Sequence, residues 1–397
     1  MIVLRLREAG PAVQVRLDAD EARRLAAAGV VDVRPGPAAG LWAVRAAKRV
    51  GAARIGNVEL YIEPKVPIAR LLFLAGYARD PKGWRDESVP LAEHAGLVPA
   101  LAAALWRQAD RALRQGLLQG YRTVDDTSPV LRGRLRESAQ LNRRAGLPLP
   151  LEIRHDEYTV DIPENRILAT AVDRMLRVPG VDAVSRRMLR HLAARLAGIT
   201  RLRPGERVPQ WHRTRLNERL VIALRLAELV LADCSIEAGR GGVLANAFLL
   251  DMWRVYEDFL SVALRAAIES THGGAVVFQA RHHLDDRRRL ELRPDIVWLR
   301  GRAETGAVVD AKYKADTVRE DAYQMLAYCV AYRLTRGHLV YAFGEPAQRR
   351  HFVPNAGIEI VCHSLDLTAE PSELLARIRV LAEEITRGGP AWTSALR

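Results

Sequence analysis

The chain has 397 residues, 49% hydrophobic and 27% charged, a balance that fits a globular protein of two or three domains and excludes a disordered or fibrous chain. Its longest apolar stretch, near Leu220 to Leu231, is broken by Arg225 and Glu228, too short and charged to span a bilayer, and Met1-Ile-Val-Leu-Arg-Leu-Arg-Glu lacks the apolar run of a signal peptide. The net charge of +13 is read either as the footprint of a polyanionic partner such as nucleic acid or as arginine inflated by a GC-rich genome.

In chain order, residues 1 to about 75 read as β-rich, with alternation in Val13-Gln-Val-Arg-Leu and Val58-Glu-Leu-Tyr-Ile-Glu. Arg34-Pro-Gly-Pro-Ala-Ala-Gly40 marks a loop. From Leu91 to Leu118 the pattern is helical, with Leu97, Leu101 and Leu105 four residues apart. Short strands are expected at Tyr121-Arg-Thr-Val, Val130 to Leu135 and Leu151 to Tyr158. Helices follow from Pro163 to Val178, Ser185 to Leu196 and Leu216 to Ala232, the first stopped by Pro179-Gly180. Gly239-Arg-Gly-Gly242 is the expected joint before the last domain. Beyond it the order is helix (Leu244 to Ile268), strands (Ala275 to Ala280, Leu290 to Leu299, Ala307 to Tyr313), helix (Arg319 to Leu334), strands (His338 to Ala342, Ile358 to Cys362) and helix (Pro371 to Thr386). The pattern predicts an α/β chain, α+β overall: a β-rich domain at 1–100, a strand-and-helix middle region at 101–235, and a domain at 236–397 built on a mixed sheet flanked by helices.

Residue choice sharpens this outline. The three cysteines, Cys234, Cys329 and Cys362, have no paired spacing, which points to a reducing cytoplasm rather than to disulfides or a zinc site. Only five lysines occur, Lys48, Lys65, Lys82, Lys312 and Lys314. In a chain that otherwise uses arginine, two lysines in one short strand hint that a compact ammonium is needed there.

In Val308-Val-Asp-Ala-Lys-Tyr313, alternation puts Asp310 and Lys312 on one face and Val309, Ala311 and Tyr313 on the other. The preceding strand carries Pro294-Asp295, and a hairpin through Leu299 to Gly306 pairs the two strands so that Asp295 comes beside Asp310. Two carboxylates suit Mg²⁺ (or Mn²⁺), a hard cation that prefers oxygen. Such an ion activates water and screens charge on a scissile phosphate, and the neighbouring lysine orients or deprotonates water or stabilises that charge. Leu250, Trp253, Glu257, Leu260 and Leu264 form a helical stripe, so Glu257 sits on an apolar face where an unpaired carboxylate is costly unless it meets a metal or a lysine. Glu257, Asp295 and Asp310 are thus the expected metal ligands and, with Lys312, the expected catalytic set. Gln324 and Tyr328, one helical turn apart, are expected on the DNA backbone, together with the flanking cations Lys314 and Arg293. The bland alternatives are a surface ion pair, a solvent-reaching glutamate and ordinary helix-surface polarity.

These residues together resemble the core of the PD-(D/E)xK nucleases: Glu257, Asp295, Asp310 and Lys312 match its helix acid, Pro-Asp and Asp-x-Lys positions. Gln324 and Tyr328 match the Gln-x-x-x-Tyr element of its RecB-like branch. More closely, Leu131-Arg-Gly-Arg-Leu, Asp156 to Leu168 and Ala247 to Leu260 resemble the McrC family, nuclease subunits of modification-dependent (5-methylcytosine) restriction systems. The likeness covers about residues 120 to 345. It implies a Mg²⁺-dependent DNA endonuclease acting on modified double-stranded DNA. It also implies a partner, an AAA+ GTPase ring of the McrB type, on which the N-terminal half docks and whose hydrolysis it stimulates. The chain has no Gly-x-x-x-x-Gly-Lys-Ser/Thr of its own. Two rival readings stand beside it: a non-catalytic DNA-binding adaptor that activates the ring, and a stand-alone nuclease of DNA or RNA. His282-His283 with Asp285-Asp286 reads as a solvated turn, since adjacent strand residues face opposite ways.

Overall fold

The computed structural model describes residues 1–81, 96–145, 147–234, 245–301, 304–314, 318–343 and 349–387. The expected joint at Gly239 to Gly242, Lys82 and the start of the helix expected from Leu91 lie outside them. The chain divides into two compact units: Met1–Leu97, Gly239–Val243 and Leu249–Arg397 form one, Val98–Ala238 and Leu244–Phe248 the other. The segment expected as a separate β-rich domain is therefore grouped with the C-terminal part.

The first unit opens with β1 (Ile2–Arg7), β2 (Val13–Arg16), α1 (Ala19–Ala27), β3 (Val31–Pro35), β4 (Leu41–Ala46), β5 (Arg49–Ile55), β6 (Val58–Glu63) and α2 (Ile68–Arg79). Strand β4 lies between β2 and β3, while β1 pairs parallel with β6 and β6 antiparallel with β5. Neither helix was legible as such in the alternation. Helix α1 starts on a capping box, with Asp18 Oδ1 accepting from the Glu21 amide at 2.7 Å and Glu21 Oε2 accepting from the Asp18 amide at 3.2 Å. Helix α2 is buried all round from Arg70 to Tyr77 and so has no polar face to betray its period.

The second unit contains α3 (Leu97–Leu113), β7 (Gly120–Ser128), β8 (Arg134–Leu135), α4 (Glu137–Arg144), β9 (Leu151–Thr159), α5 (Pro163–Arg177), α6 (Ala183–Arg195) and α7 (Val221–Asp233). Strand β9 pairs antiparallel with both β7 and β8. Helices α5, α6 and α7 fall within a few residues of the expected ranges, and α5 packs on both α6 and α7.

The chain then runs through β10 (Ala245–Asp251), α8 (Met252–Thr271), β11 (Ala275–Phe278), β12 (His282–His283), β13 (Glu291–Leu292), β14 (Ile296–Leu299), β15 (Thr305–Lys312), α9 (Val318–Tyr332), β16 (Arg336–Tyr341), β17 (Arg349–Val353), β18 (Ile358–Ser364) and α10 (Pro371–Thr386). The helix expected from Leu244 begins instead at Met252. A short apolar run such as Ala-Phe-Leu-Leu is ambiguous between strand and helix, and here sheet pairing decides. The strand expected from Leu290 is interrupted around Pro294, which has no amide to give a ladder.

The main sheet has the order β11-β14-β15-β16-β18-β17. It is mixed: β14 runs antiparallel to β15, β15, β16 and β18 are mutually parallel, and β17 is antiparallel to β18. Helix α9 packs over β15, β16 and β18 around Val308, Met325, Tyr328, Cys329, Leu339 and Ile360, all at most 2% exposed. Burying each such side chain contributes about 1.5–3 kcal/mol. Gly337 permits this close seat, because a Cβ there would meet Met325 Sδ at 2.4 Å and Cys329 Sγ at 2.6 Å. Helix α8 packs on β11 and β15 from its own core residues Val255, Tyr256, Phe259, Leu260 and Leu264.

Candidate active site

The register of the sheet builds a row of polar residues. Phe278 of β11 pairs with Ile296 of β14, and Ile296 pairs with Val309 of β15. One step beyond those pairs, Gln279, Asp295 and Asp310 follow one another across three strands. Asp295 Oδ2 accepts from the Ala311 amide at 2.8 Å, and the carboxyls of Asp295 and Asp310 lie within hydrogen-bonding reach of each other. Helix α8 brings Glu257 to the same place. Its half-buried carboxylate flanks the apolar face; Leu250 belongs to β10 and Trp253 is exposed, so the continuous stripe expected from sequence is not formed.

A side chain without any sequence signal joins the acids. Gln279 Nε2 donates to Glu257 Oε1 and, at 2.8 Å, to Asp295 Oδ1. On the other side, the Lys312 ammonium pairs with Asp310 Oδ2 and donates to Gln324 Oε1 at 2.9 Å. Gln324 is exposed, and its Nε2 donates to the Tyr328 hydroxyl at 2.7 Å. Tyr328 itself is 2% exposed. The structure therefore sets Tyr328 beneath Gln324 as its anchor, not on the surface expected for a backbone contact. Lys314 is tied to Asp321, donating to Oδ1 at 3.0 Å and pairing with Oδ2 at 2.9 Å. Asp321, buried in the first turn of α9, also accepts from the Tyr341 hydroxyl at 3.0 Å and stands 3.8 Å from Lys312. Asp321 carries no distinctive local signal, because a first-turn acid is what any helix favours. Arg293 is exposed.

The electrostatics of the three acids agree in direction. Burial first, then the charges of Asp310 and Glu257, push the Asp295 carboxyl up to about 8. Burial raises Asp310 as well, against the pull of Lys312. Glu257 is raised by burial and by the charges of Asp258 and Asp310, against its bond from Gln279. Burial alone would lower Lys312, but the charge and hydrogen bond of Asp310 outweigh it and raise its pKa. Lys312 is consequently held in its ammonium form beside Asp310.

Among the described residues no three His, Cys, Asp or Glu side chains stand already gathered to hold a metal ion. The Gln279 amide lies between Glu257 and Asp295, and Lys312 lies against Asp310. The donor set still fits a hard divalent cation. All three acids are oxygen donors held together against their own repulsion, and the buried Oδ2 of Asp310 touches Lys312 yet accepts no well-directed hydrogen bond. The His282 pair forms no such set: the His282 ring lies tilted against Tyr332 with centroids 4.6 Å apart, while Asp285 closes a turn by accepting from the Arg289 and Leu290 amides.

The first 97 residues contribute to the setting of this site. Glu8, 1% exposed, accepts from the Tyr313 hydroxyl at 3.2 Å and from the Lys65 amide at 3.1 Å. Burial raises the Glu8 pKa against those bonds. Phe73 and Tyr77 of α2 pack edge-on against Phe259 of α8. Residues 1–97 thus share a core with the site.

A family model described as McrBC 5-methylcytosine restriction system component matches residues 44–342. A search of curated proteins gave no match. Among solved structures, the chain is similar to one in a refined half-complex from a tetradecameric assembly of Thermococcus gammatolerans McrB AAA+ hexamers with bound McrC. The TM-score is 0.63 at 20% identity, over 96% of this chain and 100% of that one. A second, from the cryo-EM structure of the Thermococcus gammatolerans McrBC complex, aligns with 67% of this chain and 88% of its own at 21% identity, with a TM-score of 0.40.

Proposed function

Because this chain belongs to the family of McrBC 5-methylcytosine restriction system components, we propose that it is the McrC-type nuclease subunit of such a system. In this reading it is a Mg²⁺- or Mn²⁺-dependent endonuclease of modified double-stranded DNA with a PD-(D/E)xK core, working in the cytoplasm. The observation that carries the reading is the row of contacts that links Glu257, Gln279, Asp295 and Asp310 and ends on the Lys312 ammonium. Acids crowded and buried with too little positive charge are what a cation-dependent site needs and what a folded scaffold otherwise avoids.

Glu257, Asp295 and Asp310 would hold the ion. When bound, a divalent cation screens charge on a scissile phosphate and makes water more acidic. The rest of the chemistry belongs to the chain. Asp310 keeps Lys312 protonated, so the ammonium offers fixed positive charge where the phosphoryl oxygens gain negative charge. Gln324, anchored by Tyr328, holds Lys312 at that place. Asp321 matches the charge of Lys314 and steadies the end of β15. The exposed Arg293 and the excess of arginine supply contacts to the DNA backbone.

The same reading gives the chain a McrB-type AAA+ GTPase ring as partner, whose hydrolysis it stimulates. Support lies in the second unit. Tyr121 and Tyr158 oppose each other across β7 and β9 with ring centroids 5.1 Å apart, and both are exposed, as are Val130, Leu131 and Leu141. Large exposed apolar side chains on one small sheet, on the segment joining its strands and on α4 are what a protein contact uses. In this reading residues 98–238 carry the docking surface.

The experiment is cleavage of methylated and unmethylated DNA, and of RNA, by the purified chain with Mg²⁺ or Mn²⁺, with and without the AAA+ partner and GTP. The expected result is metal-dependent cleavage of methylated DNA when the partner is present. Stimulated GTP hydrolysis without any cleavage would establish the adaptor reading instead.

A further inference from the structure

Gln279 follows the last residue of β11 with φ +50°, in the left-handed region that non-glycine side chains rarely adopt. Its amide nitrogen donates to the Asp295 carbonyl at 3.0 Å, fixing the turn against the start of β14. That turn sends the side chain between Glu257 and Asp295, where its NH₂ group places one proton on each carboxylate. These two acids come from different elements, α8 and the β14 edge, and the charge of Glu257 raises the pKa of Asp295. Left alone they would move apart. The junction of α8 with β11 does not need this link for its packing. Arg265 stacks on Phe278 at 3.6 Å, and Glu269 accepts from the Val276 amide at 3.0 Å.

We propose that Gln279 is a positioning residue for the cation: its NH₂ group ties Glu257 and Asp295 to one place, so that a divalent ion meets two acids already brought together from separate elements. The inference rests on the reading of Glu257, Asp295 and Asp310 as cation ligands. It gives an uncharged residue, invisible to motif reasoning, a share in cation affinity. The amide is a donor of the right size and no net charge, so it relieves repulsion without competing as a permanent ion would. Gln279 touches neither substrate nor reacting atoms, and its effect is on the concentration of ion needed, not on the rate once the site is filled.

Calorimetric titration of Mn²⁺ into the full chain tests this, with wild type, Gln279→Met and Asp310→Ala compared. Methionine keeps the length of the side chain and removes both donors. Gln279→Met is expected to melt like wild type without Mn²⁺ and to bind Mn²⁺ about 10–100-fold more weakly, the usual effect of losing a group that orients a metal ligand. Its cleavage is expected to recover at saturating Mn²⁺. Gln279→Ala, which demands no space, is expected to show the same weakening. Equal Mn²⁺ affinity in wild type and both Gln279 variants, with Asp310→Ala silent, would overturn the role of Gln279 and leave the site standing. A lowered melting temperature with unchanged affinity would do the same, exposing a packing role. Absence of Mn²⁺ binding to wild type would overturn both the clamp and the site on which it rests.

Discussion

In the unit of residues 98–238, acids are gripped by arginine. Glu152 is 1% exposed and lies between Arg143 and Arg144; Asp125 is held by Arg154 and Arg136; Asp161 takes Arg122 and the Thr200 hydroxyl and amide. Burial pushes Glu152 and Asp161 up, yet the arginines and donors around them win and lower both; Asp125 is lowered chiefly by its bond from Arg154. At Glu257, Asp295 and Asp310 the same chemical group is buried with one lysine and one amide among three carboxyls, and all three shift upward. An acid that has met its cation is part of the scaffold. Acids left without a matching cation fit the proposed metal site.

The comparison breaks most sharply on activity. Lys312→Ala, or Asp310→Ala, is expected to lower metal-dependent cleavage at least about a hundredfold, the scale of removing one charge-stabilising group, with folding and DNA binding largely kept. Arg143→Ala, which loosens Glu152 instead, is expected to leave the cleavage rate unchanged. Normal cleavage by Lys312→Ala would remove the residue from the site.

Titration separates the two regions next. Asp295 has a folded pKa near 8, above its unfolded value, so the stability it adds is full below about pH 4 and is lost as pH rises through about 8. Asp295→Asn should therefore raise the melting temperature of the metal-free chain near pH 8 and change nothing near pH 4. Glu152 is shifted the other way: its contribution exists above the ordinary carboxylate range and disappears as pH falls. Glu152→Gln should lower the melting temperature at neutral pH and converge with wild type in acid. Parallel pH profiles for the two variants would erase the distinction.

The smallest effect concerns the first 97 residues. Tyr313→Phe removes the hydrogen bond to Glu8 and should cost about 1–2 kcal/mol in urea unfolding, with cleavage unchanged. A large loss of cleavage there would instead extend the site to Glu8, just past β1.

Much of the site was legible because its residues announce themselves locally. Asp310 and Lys312 share a face by simple alternation, and Pro294 interrupts a strand where Asp295 is needed. Gln279 was not legible, since its part depends on a left-handed backbone turn and on two acids distant in sequence. Tyr328 was legible as a helical neighbour of Gln324 but not as buried, because a one-turn spacing says which residues meet and not which way the core lies. In the fold, α2 and β10 were obscured by uniformly apolar sequence, where neither period stands out. The joining of residues 1–97 to the C-terminal part rests on contacts such as Phe73 with Phe259, which no local pattern encodes.

The central claim is that the carboxyls at Glu257, Asp295 and Asp310 hold charge reserved for a cation. The most direct measurement is the melting temperature of the full chain across about pH 4 to about pH 9, with chelator and with Mn²⁺. The expected result is a metal-free profile that falls as pH rises toward about 8, the value to which Asp295 is pushed, and a Mn²⁺ profile that stays high, so that the gap between them widens with pH. Superimposed profiles, with Mn²⁺ giving no stabilisation at any pH, would contradict it.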